Sequence, residues 1–252
     1  MLIFFQSIKS TVFVNLEKGM KMLKKLVGGH RGSPKKAHEN TLESFSAAIS
    51  DGADFIEFDV RYSKDKKLII HHDPALNGHI LKKMNYNEIV KISENMGYRV
   101  PLLEDVLDLC KGKIKLDIEI KEPETTEETV EKTLLFFKPE DFITTSFHDT
   151  VLTKINNKFI DLKKGLLFDD TTKKDLYSRI IRLKPDFVLP DCENFCFTVN
   201  NLIPALSFEI KAIYWNVNTP EDMQKTLENN LTKGIISDFP DIAVKENHCF
   251  QG

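Results

Sequence analysis

Apolar positions along this chain follow two rhythms, short extended runs and longer stretches of helical period, and the pair recurs eight times. The first run, Lys25 to Arg31, precedes a helical pattern from Asn40 to Ser50 with Leu42, Phe45, Ala48 and Ile49 on one face. A strand at Asp54 to Val60 follows, then an extra extended segment at Lys66 to Asp73 and a helix at Leu102 to Cys110. Strand Ile114 to Lys121 leads to a helix near Glu127 to Phe137, Phe142 to Phe147 to one near Thr150 to Phe159, and Gly165 to Asp169 to one near Lys174 to Leu183. The last strands, Phe187 to Pro190, Ala212 to Val217 and Gly234 to Ser237, precede helices at Asn200 to Phe208, at Pro220 through Asn229 and in a short tail. Eight such units in 252 residues predict an α/β chain folded as a (βα)8 TIM barrel, with a short insertion between the second barrel strand and its following helix. A doubly wound nucleotide-binding sheet is disfavoured: Gly28-Gly29-His30-Arg31-Gly32 lacks the spacing and the downstream acidic residue of a dinucleotide loop.

A barrel of this kind takes its reactive side chains from the carboxyl ends of several strands, so the polar residues there matter most. The first strand closes on His30-Arg31. The second carries Glu57 and Asp59, two residues apart and therefore on one face, and the third carries Glu119 and Lys121 with the same alternation. Three carboxylates from neighbouring strands then converge on one mouth, a hard-oxygen set suited to Mg²⁺ or Ca²⁺. Taken singly they could be ion pairs or solvated loop charges. His30 and His72, the latter closing the extra extended segment, can reach the same mouth, and such a pair can supply a base and an acid near neutral pH. His71 is expected on the opposite face from His72. Trp215, the only tryptophan, sits beside the mouth as a core residue or a stacking wall, and Phe147 and Phe168 are expected to line the same pocket.

Composition narrows the partners. A net charge of -3 and a pI near 6.2 give no basic field for nucleic acid, and four cysteines make no disulfide framework. With no run near the roughly 20 apolar residues of a membrane span, a cytoplasmic protein with reduced thiols is expected. Residues 1–24 read as an N-terminal extension of uncertain role ahead of one domain over 25–247, a peripheral amphipathic helix being the sharper alternative.

The motifs that carry a family resemblance run in order along most of the chain: His30-Arg31-Gly32, Glu39-Asn40-Thr41, Gly52-Ala53-Asp54, Ile56-Glu57-Phe58-Asp59-Val60 and His72-Asp73-Pro74. They continue in Pro101 through Leu107, Ile118-Glu119-Ile120-Lys121, Ser146-Phe147, Trp215 through Asn218 and Gly234 through Asp241. Over roughly residues 26–242 the chain resembles the glycerophosphodiester phosphodiesterases. The resemblance implies hydrolysis of a small glycerophosphodiester to glycerol 3-phosphate and an alcohol, with His30 and His72 as acid and base. It further implies one divalent cation, Mg²⁺ or Ca²⁺, held by Glu57, Asp59 and Glu119, with Arg31 and Lys121 on the phosphate. A phospholipase C-like or lysophospholipase D-like enzyme on the same barrel is the nearest alternative, and a catalytically silent binding barrel a more distant one.

His38 stands where the family usually has proline, and reads as a surface substitution. The usual Arg-Thr pattern after Pro74 is replaced by Asn77-Gly78-His79. The 77–101 segment shows no acidic cage or aromatic pair, so soluble head groups are expected to react at similar rates. His79 and His148 are expected as surface or capping residues. Asp238 is expected to fix the last barrel turn rather than to bind metal.

Overall fold

The computed structural model describes residues 25–169, 175–207 and 209–251. The expected N-terminal extension, residues 1–24, lies outside them. Eight parallel strands close on themselves: β1 (Leu26–Gly29), β2 (Phe55–Tyr62), β6 (Lys115–Ile120), β7 (Phe142–Ser146), β8 (Lys164–Phe168), β9 (Phe187–Pro190), β10 (Lys211–Tyr214) and β11 (Thr232–Ser237). Pairing of Gly29 with Ser237 on one side and with Ile56 on the other completes the ring. The helices between strands are α1 (Leu42–Ser50), α3 (Leu103–Cys110), α4 (Thr126–Leu134), α5 (Asp149–Lys158), α6 (Leu176–Leu183), α7 (Pro220–Leu227) and α8 (Pro240–Gln251). Thr41 caps α1 by accepting from the Ser44 amide, and Thr219 caps α7 with Pro220 at its first position.

Period-two alternation decides what faces inward. On β2, Ile56, Phe58 and Val60 join the large apolar layer between strands and helices, while Phe55 joins Leu167, Leu189, Ile213 and Ile236 in a smaller cluster inside the barrel. Gly28 makes this filling possible, because a Cβ there would sit 2.3 Å from the Phe55 ring. The same alternation corrects one expectation. Leu167 faces the barrel interior, so its neighbour Phe168 is turned out into the helix layer and does not line the pocket with Phe147.

Between β2 and α3 the chain builds more than a loop. β3 (Leu68–Ile70) pairs antiparallel with Val60 to Tyr62, the end of β2 above its pairing with β1. A small hairpin, β4 (Ala75–Leu76) with β5 (His79–Ile80), and helix α2 (Tyr86–Asn95) follow. Ile69, Leu76, Leu81, Tyr86, Ile89 and Val90 form a separate apolar cluster beneath them. The spacing of Tyr86, Ile89, Val90 and Ser93, all buried, is that of one helix face, and the Glu88 carboxylate accepts the Asn85 amide at 2.7 Å. That helix was not anticipated.

After β9 the expected helix at Asn200 to Phe208 is present but shifted, a continuous helical stretch over Phe195 to Ala205 with π-helical hydrogen bonding at Thr198 to Leu202. Pro204, which cannot donate a backbone hydrogen bond, lies in its last turn. All four cysteines are free thiols. Among the described residues no helix is long and apolar enough to cross a membrane.

Candidate functional site

The inward positions of neighbouring strands stack into layers at the carboxyl end of the barrel. Register pairs Glu57 with Asp117 and, one layer higher, Asp59 with Glu119. Lys121, two residues on, continues the same face. A cavity of about 420 Å³ opens above, walled by His30, Arg31 and His72 on one side and by Phe147, Leu167, Trp215 and Ile236 on the other. All eight expected site residues therefore meet at one mouth.

Glu57, Asp59 and Glu119 are buried and offer carboxylate oxygens within 4.8 Å of one another. Taking such charges from water costs on the order of several kcal/mol each, so they need compensation. Lys121 supplies part of it, its ammonium lying 2.7 Å from Glu119 Oε1 and 3.2 Å from Asp59 Oδ1. Arg31 supplies more. Its residue adopts a left-handed backbone, φ 53°, at the turn after β1, and this aims its amide at Glu57 Oε2 2.9 Å away. The guanidinium reaches Glu39 at 2.8 Å and lies 3.5 Å from Asp59.

Burial raises Asp59, yet Lys121 and Arg31 beside it bring it down to about 2, helped by a 2.8 Å hydrogen bond from Asn40 Nδ2. Glu119 moves the other way, pushed up to about 7 by burial and then by Asp59. Glu57 is raised well above the usual carboxylate range for the same reasons. The donor set is hard, crowded and short of positive charge, and so fits a divalent cation. Asp59 Oδ1 is buried with no hydrogen-bond partner in spite of the nearby ammonium.

A pH dependence follows from these directions. Folded Glu119 keeps its proton from about pH 4.5, where an unfolded glutamate loses its own, up to about 7, and Glu57 shifts in the same direction, so the metal-free protein loses stability as pH rises through that range. A cation competes with those protons at low pH and meets less competition as pH rises. The gain in Tm on adding Mg²⁺ or Ca²⁺ is therefore expected to be larger at about pH 8 than at about pH 5.5. Equal gains at both would rule out a site built from these two glutamates.

Two features were missed by sequence reasoning. Asp117 is fully buried in the cavity floor, where burial pushes it up to about 7; Thr145 donates to one oxygen at 2.7 Å and the other has no partner. Extending the Glu119 and Lys121 alternation back by two residues would have found it. Asp238 does more than close the last turn: its Oδ1 lies 2.7 Å from His30 Nδ1, while Asn218 donates to its Oδ2 at 3.0 Å. The carboxylate thereby orients the imidazole and leaves Nε2 for the cavity. His72 is held in the same way, its Nδ1 2.8 Å from Asp73, and Arg61 donates to its carbonyl at 2.8 Å. Burial, reinforced by Lys121 and Arg31, holds the His72 ring below the usual histidine range.

The other wall is aromatic. Trp215 donates through Nε1 to the Leu189 carbonyl at 3.1 Å and meets Phe147 edge to face at 6.0 Å. His71 lines a neighbouring cleft, not the cavity of His72, as the alternation requires. His79 and His148 are exposed, and His148 stands at the N-cap of α5 without a side-chain capping bond. His38 is exposed, as expected of a surface substitution, and its ring stacks on Tyr98 at 3.5 Å and 10°.

Residues 30–242 match the glycerophosphoryl diester phosphodiesterase family. A glycerophosphodiester phosphodiesterase of Caldanaerobacter subterraneus subsp. tengcongensis is 29% identical over 245 residues, covering 88% of this chain and 97% of that protein. One from Bacillus altitudinis is 30% identical over 86% of this chain and 95% of its own length. Among solved structures, the glycerophosphodiester phosphodiesterase of Thermotoga maritima superposes with a TM-score of 0.75 at 27% identity, covering 88% of this chain and 97% of the other. With the match spanning most of the barrel and every strand end that forms the cavity, the chain belongs to the glycerophosphoryl diester phosphodiesterase family.

Proposed function

We propose that the protein hydrolyses glycerophosphodiesters to glycerol 3-phosphate and an alcohol, with one divalent cation held by Glu57, Asp59 and Glu119. The observation that carries this reading is the convergence of two carboxylate-held histidines and a buried triad of carboxylates on one cavity. Such a set is suited to moving protons on either side of a phosphorus atom while its negative oxygens are neutralised. When bound, Mg²⁺ or Ca²⁺ supplies electrostatic stabilisation of the phosphoryl oxygens.

The chain's own residues divide the remaining work. Arg31 and Lys121 border the cavity and carry positive charge toward the phosphate. Lys121 stays protonated, because Asp59 and Glu119 outweigh the burial that would lower it. His72, neutral at pH 7, suits the base that takes a proton from the attacking hydroxyl. His30, oriented by Asp238, suits the acid that returns one to the departing alcohol. Phe147 and Trp215 form an apolar wall against which the glycerol carbons can lie, keeping water from that side of the phosphorus.

The test is a panel of glycerophosphodiesters with different alcohols assayed beside lysophospholipids. Soluble diesters are expected to be turned over at least about tenfold faster, in kcat/KM, than lysophospholipids, which is about 1.4 kcal/mol in the transition state. A preference for lysophospholipids would favour the membrane-facing alternative.

A further inference from the structure

A phosphodiester carries two alcohol arms on one phosphorus atom, and the mouth of this barrel has two compartments. Beside the cavity already described lies a second cleft of about 570 Å³, which shares only His30 and Arg31 with the first. The two are built differently. The first is made of strand ends, whose positions the barrel fixes. The second is made of loops, with Lys35, His38 and Glu39 from the turn after β1 and Asp73, Met96 and Tyr98 from the segment around α2. A rigid compartment suits the constant glycerol phosphate arm, and a loop-built one suits the arm that varies.

The chemistry of the second cleft is that of a cation site. Its carboxylates are Glu39, Asp73 and Asp238, facing the cations Arg31 and Lys35. Asp73 has 69% of its side chain exposed and Glu39 has 40%, so both present oxygen to the cleft. Arg31 is paired with Glu39 and Asp59 and Lys35 lies over the Phe239 ring at 5.1 Å, while Asp73 and Asp238 each set one oxygen against a histidine, so three carboxylates stand against two permanent cations. Tyr98 brings a half-buried aromatic ring, braced by the His38 stack, and His38 is itself anchored through Nδ1 to the Glu39 carbonyl at 3.0 Å. An ammonium group is stabilised by an aromatic face and by carboxylates within reach.

We propose that this second cleft is the leaving-alcohol subsite and that it selects ammonium-bearing alcohols, with the stacked Tyr98 and His38 rings as its wall. The proposal rests on the hydrolytic reading given above. It places His30, which borders both compartments, on the path of the departing oxygen.

The experiment compares kcat/KM for glycerophosphoethanolamine, glycerophosphocholine, glycerophosphoglycerol and glycerophosphoinositol in the wild type, Tyr98→Ala, Tyr98→Phe and His38→Ala, with inhibition by glycerol 3-phosphate measured alongside. The wild type is expected to favour the two ammonium diesters by about three- to tenfold, the range of one cation and ring contact. Tyr98→Ala should lower them by about tenfold and the neutral pair by less than about threefold. Tyr98→Phe should keep the wild-type pattern, and the inhibition constant for glycerol 3-phosphate should stay within about twofold in every variant. His38→Ala, a change at an exposed residue, should move the same ratio in the same direction by a smaller factor and covers the case in which Tyr98→Ala does not fold. Equal losses on all four diesters, a parallel change in the glycerol 3-phosphate constant, or an unchanged ratio in the alanine variants would overturn the subsite while leaving the hydrolytic reading intact. A wild type active on none of the four would overturn that reading, and the subsite with it.

Discussion

Stripping divalent cations from the protein is expected to lower kcat by at least about 10³-fold, with activity returning on addition of Mg²⁺ or Ca²⁺. The magnitude follows from the several kcal/mol that a positioned cation contributes to charge stabilisation, at about 1.4 kcal/mol per factor of ten. Arg31 and Lys121 cannot substitute for it, because each is already paired with the carboxylates that would hold the ion. The measurement is steady-state turnover of a soluble glycerophosphodiester after exhaustive chelation, with metal content determined on the same sample. Undiminished turnover in a sample shown to be metal-free would remove the cation from the reaction and leave the buried triad without a function. Glu57→Gln or Glu119→Gln should likewise abolish the response to added cation, since an amide lacks the charge that the site needs.

Replacement of either histidine proposed as acid or base should be nearly as damaging. His30→Ala and His72→Ala are each expected to reduce kcat by about 10² to 10⁴, the range for losing one positioned acid or base. Asp238→Asn should fall between those variants and the wild type: it keeps a partner at His30 Nδ1 but removes the charge that sits 2.7 Å from it. His71→Ala supplies the control. Its ring borders the second cleft, its Nδ1 donating to the Asp73 carbonyl at 3.0 Å, and its loss should change kcat by less than about threefold. If His71→Ala proved as harmful as His72→Ala in a folded protein, the division of the two histidines between compartments would be wrong.

Much of the site could be read from spacing alone, because a strand is a period-two object. Glu57 with Asp59, and Glu119 with Lys121, had to share a face once their segments were strands, and polar residues at several strand ends had to meet once the strands closed into a barrel. The same rule, applied with care, would have included Asp117 and excluded Phe168. Helix α2 is also legible in the spacing of Tyr86, Ile89, Val90 and Ser93, behind an extended stretch and a glycine-bearing turn. The helix over Phe195 to Ala205 differs from expectation in its bounds and in the π-helical stretch at Thr198 to Leu202.

The sequence by itself determined the order of strands and helices, the face on which each carboxylate stands and the family to which the chain belongs, since these depend on neighbours a few residues apart. The tertiary structure decided which distant groups meet. Asp238 reaches His30 across 208 positions only because β11 pairs with β1. Thr145 comes under Asp117 because β7 lies beside β6, and Tyr98 stacks on His38 because two loops from different strand ends fold over one rim. Local periodicity constrains which way a side chain points but carries no information about what stands opposite; that comes from barrel closure, where long-range strand pairing and burial fix the register of every strand at once.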